Sequence, residues 1–345
     1  MKININFHNF KKNHIKKKNQ ILFIKKKCFN YQKVENIFNL ILSKKNSFIF
    51  ESVEKGKNRG RYTIIGYNPD KIWDFKNNYL KIYNNKKIRK FKVNPLKYIN
   101  NLTRKFKIDL PKNIPSMSSM LVGYFSYDII RYIEKIPDSC KDNLKIPDVR
   151  IMRPRNLIIY DNLQKKIFYL CNIFSDVKIL DYNYEYDKIK NEFELLSFYG
   201  EISLPKLFTF KKNKNKIKSN ITKNQFKQKV LKAKEYIKRG DIFQVVLSQR
   251  FERKFEKKPL EIYNFLRKSN PSPFMFYFNF NDFKILGSSP EILVRLRNNF
   301  ITVRPIAGTR PRGKNFNQDK KYENELIKDK KELAEHLIYF LSRLN

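Results

Sequence analysis

The residues best suited to ligand chemistry stand in one short stretch, residues 303–313, which reads VRPIAGTRPRG. Gly308 can let the backbone approach a ligand closely, and Thr309 adds a hydroxyl beside it. Three arginines accompany them, and a planar guanidinium can bond both oxygens of a carboxylate. The stretch predicts either a pocket for a small carboxylate or a basic surface turn, and the residues alone favour the turn.

The second chemical candidate is an acidic pair, Glu332 and Glu335, three positions apart in a long charged helix predicted over residues 319–344. Residues at that separation share a helix face. The alternative is a solvated acidic stripe that pairs with lysines, and the residues alone favour this alternative.

The composition is that of a folded protein with an extreme charge. Of the 345 residues, 41% are hydrophobic and 15% aromatic, and the formal net charge is +42. A nucleic-acid binder would gather its lysines on one face, and a membrane-surface protein would show a basic amphipathic helix. The lysines are spread along the whole chain instead, beside abundant Asn, Ile, Phe and Tyr. We therefore favour compositional drift and expect no specific nucleic-acid or membrane partner.

Three further features narrow the possible classes of protein: the cysteines, the histidines and the N-terminus. Three widely spaced cysteines form no CxxC pair, which favours a reducing cytoplasm over a disulfide framework or a zinc site. Three histidines make a multi-histidine metal site improbable. No apolar run is long enough to span a membrane, and the basic start lacks the apolar segment of a secretory signal. We expect residues 1–25 to be a disordered basic tail.

The elements that position these stretches follow from hydrophobic periodicity. In the first half, a helix is predicted over residues 31–42 and strands over 47–53, 61–67, 79–83, 88–93, 121–127, 155–160 and 166–171. The proline of the sequence Asn68-Pro69-Asp70 should end the second strand. This half is predicted to be antiparallel β structure with a few helices.

The second half begins after a lysine- and asparagine-rich linker over residues 206–221. Thr222 is a candidate N-cap for a helix that ends at Gly240, and a strand is expected over residues 241–251. A helix over 259–268 and strands over 273–280 and 283–287 follow. A last hairpin pairs residues 292–296 with 301–303 across Asn298-Asn299, and it leads directly into the stretch at 303–313.

Eight motifs occur in a fixed order along the chain. They are FES at 50–52, GRY at 60–62, LVGYFSYD at 121–128, GDIFQVVLS at 240–248, NPSPFMF at 270–276, GSSPE at 287–291, PIAGTRP at 305–311 and KELAEHL at 331–337. Each motif alone is weak, but the ordered set is highly specific. The series resembles anthranilate synthase component I, the large chorismate-binding subunit, over nearly the whole chain after about the first thirty residues.

The resemblance implies a fold and an activity. The fold would be α+β, with two facing antiparallel β-sheets and helices packed outside, and the two halves of the chain would interleave into one body. The activity would convert chorismate and ammonia into anthranilate and pyruvate in tryptophan biosynthesis. Gly308 and Thr309 would contact chorismate, with Thr309 the catalytic candidate. Glu335, and with less support Glu332, would bind Mg²⁺, which prefers hard oxygen ligands.

Within the resemblance, two positions indicate which nucleophile reacts with chorismate. The related enzyme aminodeoxychorismate synthase commonly carries a nucleophilic lysine where this chain has Ala307, and alanine cannot form a covalent intermediate. Relatives that form isochorismate or salicylate commonly place a water-activating lysine where this chain has Gln244, whose amide cannot act as that base. Ammonia is therefore the expected nucleophile, and component I of aminodeoxychorismate synthase is the alternative.

The resemblance also implies feedback inhibition by L-tryptophan at a separate pocket. Ser52, Pro273, Phe274 and Met275 match that pocket, and a hydroxyl with aromatic and Met side chains suits an indole amino acid. Phe274 stands where a tyrosine is common. Core packing of aromatic strand residues is the competing explanation.

The resemblance finally implies a partner subunit and an incomplete catalytic domain. None of the cysteines lies in an amidotransferase elbow, so ammonia from glutamine would come from a separate amidotransferase subunit, component II, in a hetero-oligomer. The expected organisation is an N-terminal region over 26–205, a linker over 206–221 and a chorismate-binding domain over 222–345 that is incomplete at its C-terminus. The chain would then be active only with a second polypeptide, or be a non-catalytic remnant.

Overall fold

The computed structural model describes residues 2–53, 60–84, 87–199, 216–304, 306 and 308–341, except for the side chains at positions 335 and 338–341. The chain divides into two compact units. The larger unit combines Met1–Leu204 with Tyr263–Asn345, and the smaller unit is Pro205–Ile262. The domain boundaries that the sequence suggested stay predictions.

Helices and strands alternate along the described residues. The α-helices are α1 Phe7–Ile15, α2 Tyr31–Leu42, α3 Pro95–Lys105, α4 Tyr182–Tyr199, α5 Lys223–Arg239, α6 Pro259–Ser269, α7 Phe316–Lys328 and α8 Lys330–Leu341. The strands are β1 Gln20–Lys27, β2 Ser47–Glu51, β3 Tyr62–Lys76, β4 Tyr79–Asn84, β5 Lys87–Lys92, β6 Val122–Phe125, β7 Val149–Asp161, β8 Lys166–Ile173, β9 Lys218–Ser219, β10 Phe251–Glu252, β11 Phe274–Asn279, β12 Lys284–Ser289, β13 Ile292–Arg297 and β14 Phe300–Arg304.

A ten-stranded antiparallel sheet forms the framework of the larger unit. Its main path runs β1-β8-β7-β3-β2-β11-β12, while β4 and β6 join it through β3 and β7, and β5 pairs with β4. Strand β11 from the second half pairs with β2 from the first, so that Met275 lies opposite Glu51. The α+β class is confirmed, and β11 and β12 bring part of the second half into the antiparallel sheet of the first. In the described residues the strands form one ten-stranded sheet and two two-stranded ladders, in place of the two facing sheets that the resemblance implied, and residues 205–262 form a unit of their own.

The core of the sheet is aromatic. Phe48 on β2 and Phe280, just after β11, are completely or almost completely buried. The rings of Phe278 and Phe280 stack with centroids 4.9 Å apart. Such rings bury a large apolar area each, which fixes the strand register around them.

The N-terminus differs from the expected disordered tail. Helix α1 buries Phe10 and His14, and the His14 ring nitrogens lie 3.0 Å from the Tyr182 hydroxyl and from the Val177 carbonyl oxygen. Strand β1 pairs with β8 along its whole length. The expectation of disorder was wrong because it weighed the lysines of residues 11–18 and overlooked the apolar residues on either side of them.

Strand β3 does not end at the proline that was expected to stop it. It continues to Lys76, and its pairing with β7 shifts register between Pro69 and Lys71. Pro69 lies opposite Pro154, and Asn68 takes a positive φ of 52°. Neither Pro69 nor Pro154 has a backbone N–H to donate, and the two residues lie opposite each other. The bulge beside them therefore lets the strand continue past Pro69.

The smaller unit carries helix α5 and a short ladder of β9 with β10. The Thr222 hydroxyl accepts from the Gln225 backbone N–H and the Gln225 side chain accepts from the Thr222 N–H, so the predicted N-cap is confirmed as a capping box. The strand expected over residues 241–251 is wrong, because only Phe251 and Glu252 pair. A strand needs a neighbour, and among the residues that the structure describes only Lys218–Ser219 pairs with this segment.

Candidate functional site

The first candidate site is the loop that leaves hairpin β13–β14. Asn298 and Asn299 both take positive φ at the hairpin turn, as a two-residue turn of this kind requires, and the predicted hairpin is confirmed. Strand β14 then delivers the predicted ligand loop to the junction of α7 and α8. Pro305 and Ala307 lie outside the described residues, whereas Gly308, Thr309 and Arg310 are described.

Gly308 lies against the carboxylate of Glu332. A Cβ added at Gly308 would overlap Oε2 of Glu332 and would lie 2.8 Å from both Cδ of Glu332 and Cδ1 of Leu326. A real Cβ atom does not make contacts that short, so a side chain at this position would require the ends of Glu332 and Leu326 to move. The structure thus brings together a predicted chorismate contact and a predicted magnesium ligand.

Arg310 fastens this loop to the helix junction. Its Nη2 lies 2.6 Å from Oδ2 of Asp329, and its Nη1 lies 3.5 Å from Oε1 of Glu332. The same Nη1 also donates to the Thr309 carbonyl oxygen at 3.0 Å. The guanidinium of Arg310 therefore binds carboxylates of its own chain, while the side chain of Thr309 stays exposed next to Gly308.

Asp329 explains why the C-terminal helix is broken in two. It takes an extended conformation between α7 and α8, and its Oδ1 accepts from the backbone N–H groups of Lys331 and Glu332 at 3.0 and 3.2 Å. These backbone bonds, helped by Arg310, hold the pKa of Asp329 below its usual range. The prediction of one continuous helix over 319–344 was wrong because Asp329 is the N-cap of a new helix that begins just before Glu332.

The assignment of Mg²⁺ to Glu332 and Glu335 can be compared with the ligand side chains that the structure describes. The side chain of Glu332 is about one-fifth exposed, and Glu335, whose side chain lies outside the described part, follows one turn later in α8. Among the described side chains, no group of three or more His, Cys, Asp or Glu is arranged to hold a metal ion. Mg²⁺ is usually held by one or two carboxylates, with water and substrate oxygens completing its shell. Glu332 supplies one such carboxylate beside the glycine loop, and this carboxylate is already paired with Arg310, so binding of an ion would require Arg310 to release it.

The second candidate site lies where β2 ends and β11 begins. The Val53 N–H donates to the Ser272 carbonyl oxygen at 3.0 Å, which extends the contact of the two strands past the last pair, Glu51 with Met275. A Cβ on Gly60 would overlap Cβ of Ser52, so the backbone at Gly60 packs directly on Ser52. The predicted residues Ser52, Pro273 and Phe274 therefore share one edge, and Phe274 is 41% exposed there.

Met275 is oriented differently from the other predicted residues. Along β2 and β11, Phe48, Phe50 and Phe278 contact one another through their rings, and therefore share one face of the sheet. Met275 alternates to the opposite face, where it is 1% exposed. Met275 therefore offers its backbone, and not its side chain, to the face where Ser52 lies.

A buried polar cluster underlies this edge, and sequence reasoning missed it. Glu51 is 5% exposed, and its Oε1 accepts from the Tyr263 hydroxyl at 2.5 Å and lies 3.0 Å from Nε of Arg267. Arg267 also bonds Glu35 at 2.7 Å and the Tyr31 hydroxyl at 2.8 Å. Burial raises the pKa of Glu51, while Arg267 and then the Tyr263 hydroxyl oppose that rise. The signal in the sequence was a glutamate inside an apolar strand, which needs buried partners.

The remaining sequence candidate, Gln244, is exposed in the smaller unit. No helix within the described ranges combines the length and the apolarity that a bilayer crossing requires.

The chain is similar to known proteins over most of its length. A family described as chorismate binding enzyme matches residues 45–342. Anthranilate synthase component 1 of Acetivibrio thermocellus is 40% identical over 297 residues, covering 84% of this chain and 60% of that protein. The corresponding protein of Cereibacter sphaeroides is 34% identical over 353 residues, covering 96% of this chain and 68% of that protein.

A solved structure supports the same comparison. The crystal structure of anthranilate synthase component I from Streptococcus pneumoniae superposes with a TM-score of 0.67 at 27% identity, over 83% of this chain and 61% of that chain. The chain thus spans about 60% of the length of the first relative above and of this structure.

Proposed function

Since the chain belongs to the chorismate-binding enzymes, the match covering residues 45–342, we propose that it serves as an anthranilate synthase component I. The reaction joins chorismate and ammonia and gives anthranilate, pyruvate and water. Ammonia adds to the ring, the ring hydroxyl leaves as water, and the enolpyruvyl group leaves as pyruvate as the ring becomes aromatic. The observation that carries this proposal is the contact of Gly308 with the Glu332 carboxylate, which joins the PIAGTRP and KELAEHL motifs into one site.

Three residues of the loop have roles in this proposal. The Gly308 backbone and the exposed Thr309 hydroxyl hold a chorismate carboxylate, and Thr309 orients the substrate at the reacting ring. Glu335 and Glu332 would hold Mg²⁺, which would supply positive charge to balance a substrate carboxylate and the charge that develops in the reaction. Arg310 keeps the loop on the helix junction by binding Asp329 at 2.6 Å.

Ammonia is the proposed nucleophile because neither position suited to a competing one carries a lysine. Ala307 cannot attack the ring, and Gln244 cannot deprotonate water. Formation of 4-amino-4-deoxychorismate is the alternative product, and its release in place of anthranilate would identify an aminodeoxychorismate synthase.

Regulation by L-tryptophan is the second part of the proposal. The ligand would bind at the edge formed by Ser52, Pro273 and Phe274, with the backbone of Met275 completing that edge. The Ser52 hydroxyl suits the amino-acid end, and the exposed ring of Phe274 suits the indole. The buried Glu51 cluster would hold the two strands in register beneath it.

A glutamine amidotransferase subunit is the proposed partner, and the cytoplasm the proposed location. Cys28 is half-buried, Cys140 exposed and Cys171 buried. Since none of them stands in a nucleophile elbow, hydrolysis of glutamine would be the work of the partner.

An assay for anthranilate fluorescence tests the function. The chain is supplied with chorismate, an ammonium salt and Mg²⁺, once alone and once with the part of the Acetivibrio thermocellus relative that lies outside the match. We expect anthranilate in at least one arm, and no anthranilate in either would overturn the proposed activity. Calorimetry with L-tryptophan runs in parallel, so that heat without turnover would indicate a non-catalytic remnant that keeps its regulatory site.

A further inference from the structure

A cavity of about 610 Å³ opens in the larger unit, away from both candidate sites. That volume lies within the range that small-molecule pockets occupy. One wall is strand β5, whose alternate residues Lys87, Arg89 and Phe91 all line the cavity. Alternation along a strand places these three side chains on one face, so the wall is a continuous row.

A second wall is helix α3. Tyr98, Leu102 and Lys105 line the cavity, and their spacing of four and three residues places them on one face of the helix. Just after the helix, Phe106 and Lys107 extend the same wall.

The floor of the cavity is apolar and aromatic. Trp73 and Phe174 are each 3% exposed and line it together with Ile82. Trp73 belongs to the same packed cluster as Tyr98 and Leu102, which fixes the floor to the helical wall.

The charges of the cavity fall into two groups. In the first, the Arg153 guanidinium bonds Asp70 and lies 2.8 Å from Oδ1 of Asp176, while Nζ of Lys71 lies 2.5 Å from Oδ2 of Asp176. These two cations and two carboxylates neutralise one another. Arg153 also stacks on Phe174 with its Cζ 3.9 Å from the ring centroid, so it is held rigidly.

The second group is a rim of uncompensated cations. Lys87, Arg89, Lys105 and Lys107 line the cavity, and within the described ranges no acidic side chain pairs with any of them. Lysines elsewhere on the surface do find such partners, as Lys320 does with Glu323 at 3.0 Å. Four like charges around one concavity raise the local concentration of anions and bind those that carry several charges.

We propose that this cavity binds a small polyanion that carries a flat ring, the chemistry of a nucleoside di- or triphosphate. Phe91 is 43% exposed and offers a ring face, and Arg89 two positions away can stack on a base and pair with a phosphate. The rim lysines on β5 and after α3 neutralise the remaining charges. The site lies on other elements than the loop at Gly308 and the edge at Ser52, so it is independent of the proposed reaction.

The chain carries its own reporter for this site. Trp73 is its one tryptophan, and it lies in the floor of the cavity. We expect ATP, titrated without magnesium at about 0.15 M salt, to change the fluorescence of Trp73 saturably. Tripolyphosphate, which lacks the ring, and adenosine, which lacks the charge, should each bind at least tenfold more weakly than ATP. Calorimetry on the same samples detects binding that leaves the fluorescence unchanged.

Matched variants separate a built site from general basic charge. Arg89→Ala and Lys105→Ala, on different walls, should each weaken ATP binding about tenfold, the loss of a bonded charge pair. Lys92→Ala removes the same charge from the same strand outside the cavity lining and should change binding less than twofold. Thermal unfolding confirms that each variant folds. Absence of saturable ATP binding by both methods, or equal losses in Lys92→Ala and Arg89→Ala, would overturn the proposal.

Discussion

The backbone of Gly308 lies against the carboxylate of Glu332, so that the ligand loop and the first turn of helix α8 share one contact surface. Asp329 holds the same turn by accepting from the Glu332 N–H at 3.2 Å, and Arg310 bonds Asp329 from the loop side. The position of the Glu332 carboxylate is therefore set by Gly308 and Arg310 of the loop and by Asp329, the N-cap of its own helix. This relationship makes the site testable one residue at a time.

Gly308→Ala should destabilise the larger unit by about 1 kcal/mol, because the new methyl group must displace the side-chain ends of Glu332 and Leu326, which can move at modest cost. Urea unfolding measures the change. Thr309→Ala is the control, since the side chain of Thr309 is exposed and its loss leaves the loop packing intact. Equal stability of the two variants would show that Glu332 does not pack on the loop.

Arg310→Ala should loosen the loop while costing little global stability. Both of its ion pairs are partly exposed, so we expect about 1 kcal/mol or less. Amide hydrogen exchange should quicken over residues 306–312 and at the start of α8, where the loop loses its anchor. Arg312→Ala is the control, because Arg312 is 90% exposed and its ion pair among the described residues, with Asp319, lies outside the helix junction. Unchanged exchange in Arg310→Ala would remove its assigned anchoring role.

Substitution of the acidic pair tests the magnesium proposal. Glu335→Gln and Glu332→Gln keep the side-chain shape but remove a hard anionic oxygen. In the anthranilate assay each should raise the Mg²⁺ concentration for half-maximal activity at least tenfold, with the larger effect at Glu335. Glu325→Gln on α7 removes an exposed carboxylate and should leave that concentration unchanged. If all three variants respond alike to Mg²⁺, the pair does not bind the ion.

Local signals in the sequence were enough to predict the turn of the last hairpin and the start of helix α5. The asparagine pair at 298–299 predicted its turn because asparagine tolerates positive φ, and Thr222 predicted its helix because its hydroxyl caps a backbone N–H. The break at Asp329 could also have been found, since Asp329 followed three residues later by Glu332 is a capping-box pattern.

Long-range contacts could not be predicted in the same way. Pairing of β2 with β11 places Glu51 beside Met275 across more than half of the chain, and no local pattern encodes that register. The Glu51 cluster follows from the pairing, because Tyr263 and Arg267 reach Glu51 only once α6 lies over the sheet. Motif order indicated the two site regions, but which face each side chain takes required the strand register.

Tyr263→Phe should destabilise the larger unit by about 1 to 3 kcal/mol, because it removes a 2.5 Å hydrogen bond from a buried carboxylate. Burial raises the pKa of Tyr263 well above its usual value, so the hydroxyl remains a donor throughout the neutral range. Tyr277→Phe is the matched control: its ring lies 5.7 Å from that of Tyr263, and burial alone raises its pKa to about 12. Urea midpoints of the two variants measure the difference, and equal midpoints would contradict a structural role for the bond.

The buried thiol of Cys171 should make the fold less stable at alkaline pH. Burial raises the pKa of its thiol from 9.0 to about 11, because the thiolate is disfavoured in the core. Between those values the folded state binds a proton that the unfolded state has lost, so the contribution of Cys171 to stability is complete below pH 9 and falls as the pH rises. Two pKa units correspond to about 2 to 3 kcal/mol at the alkaline end.

Unfolding free energies measured from pH 8 to pH 11 test this limit. Cys171→Ala should flatten the alkaline decline relative to the unaltered chain, although the smaller side chain lowers stability at neutral pH through the cavity it leaves. Cys140→Ala should reproduce the original slope, because Cys140 is exposed and its thiol is solvated in both states. A thiol reagent should likewise label Cys140 rapidly and Cys171 only on unfolding. Parallel slopes in the two variants would mean that the buried thiol does not titrate with unfolding, since the remaining tyrosines and lysines are common to both proteins.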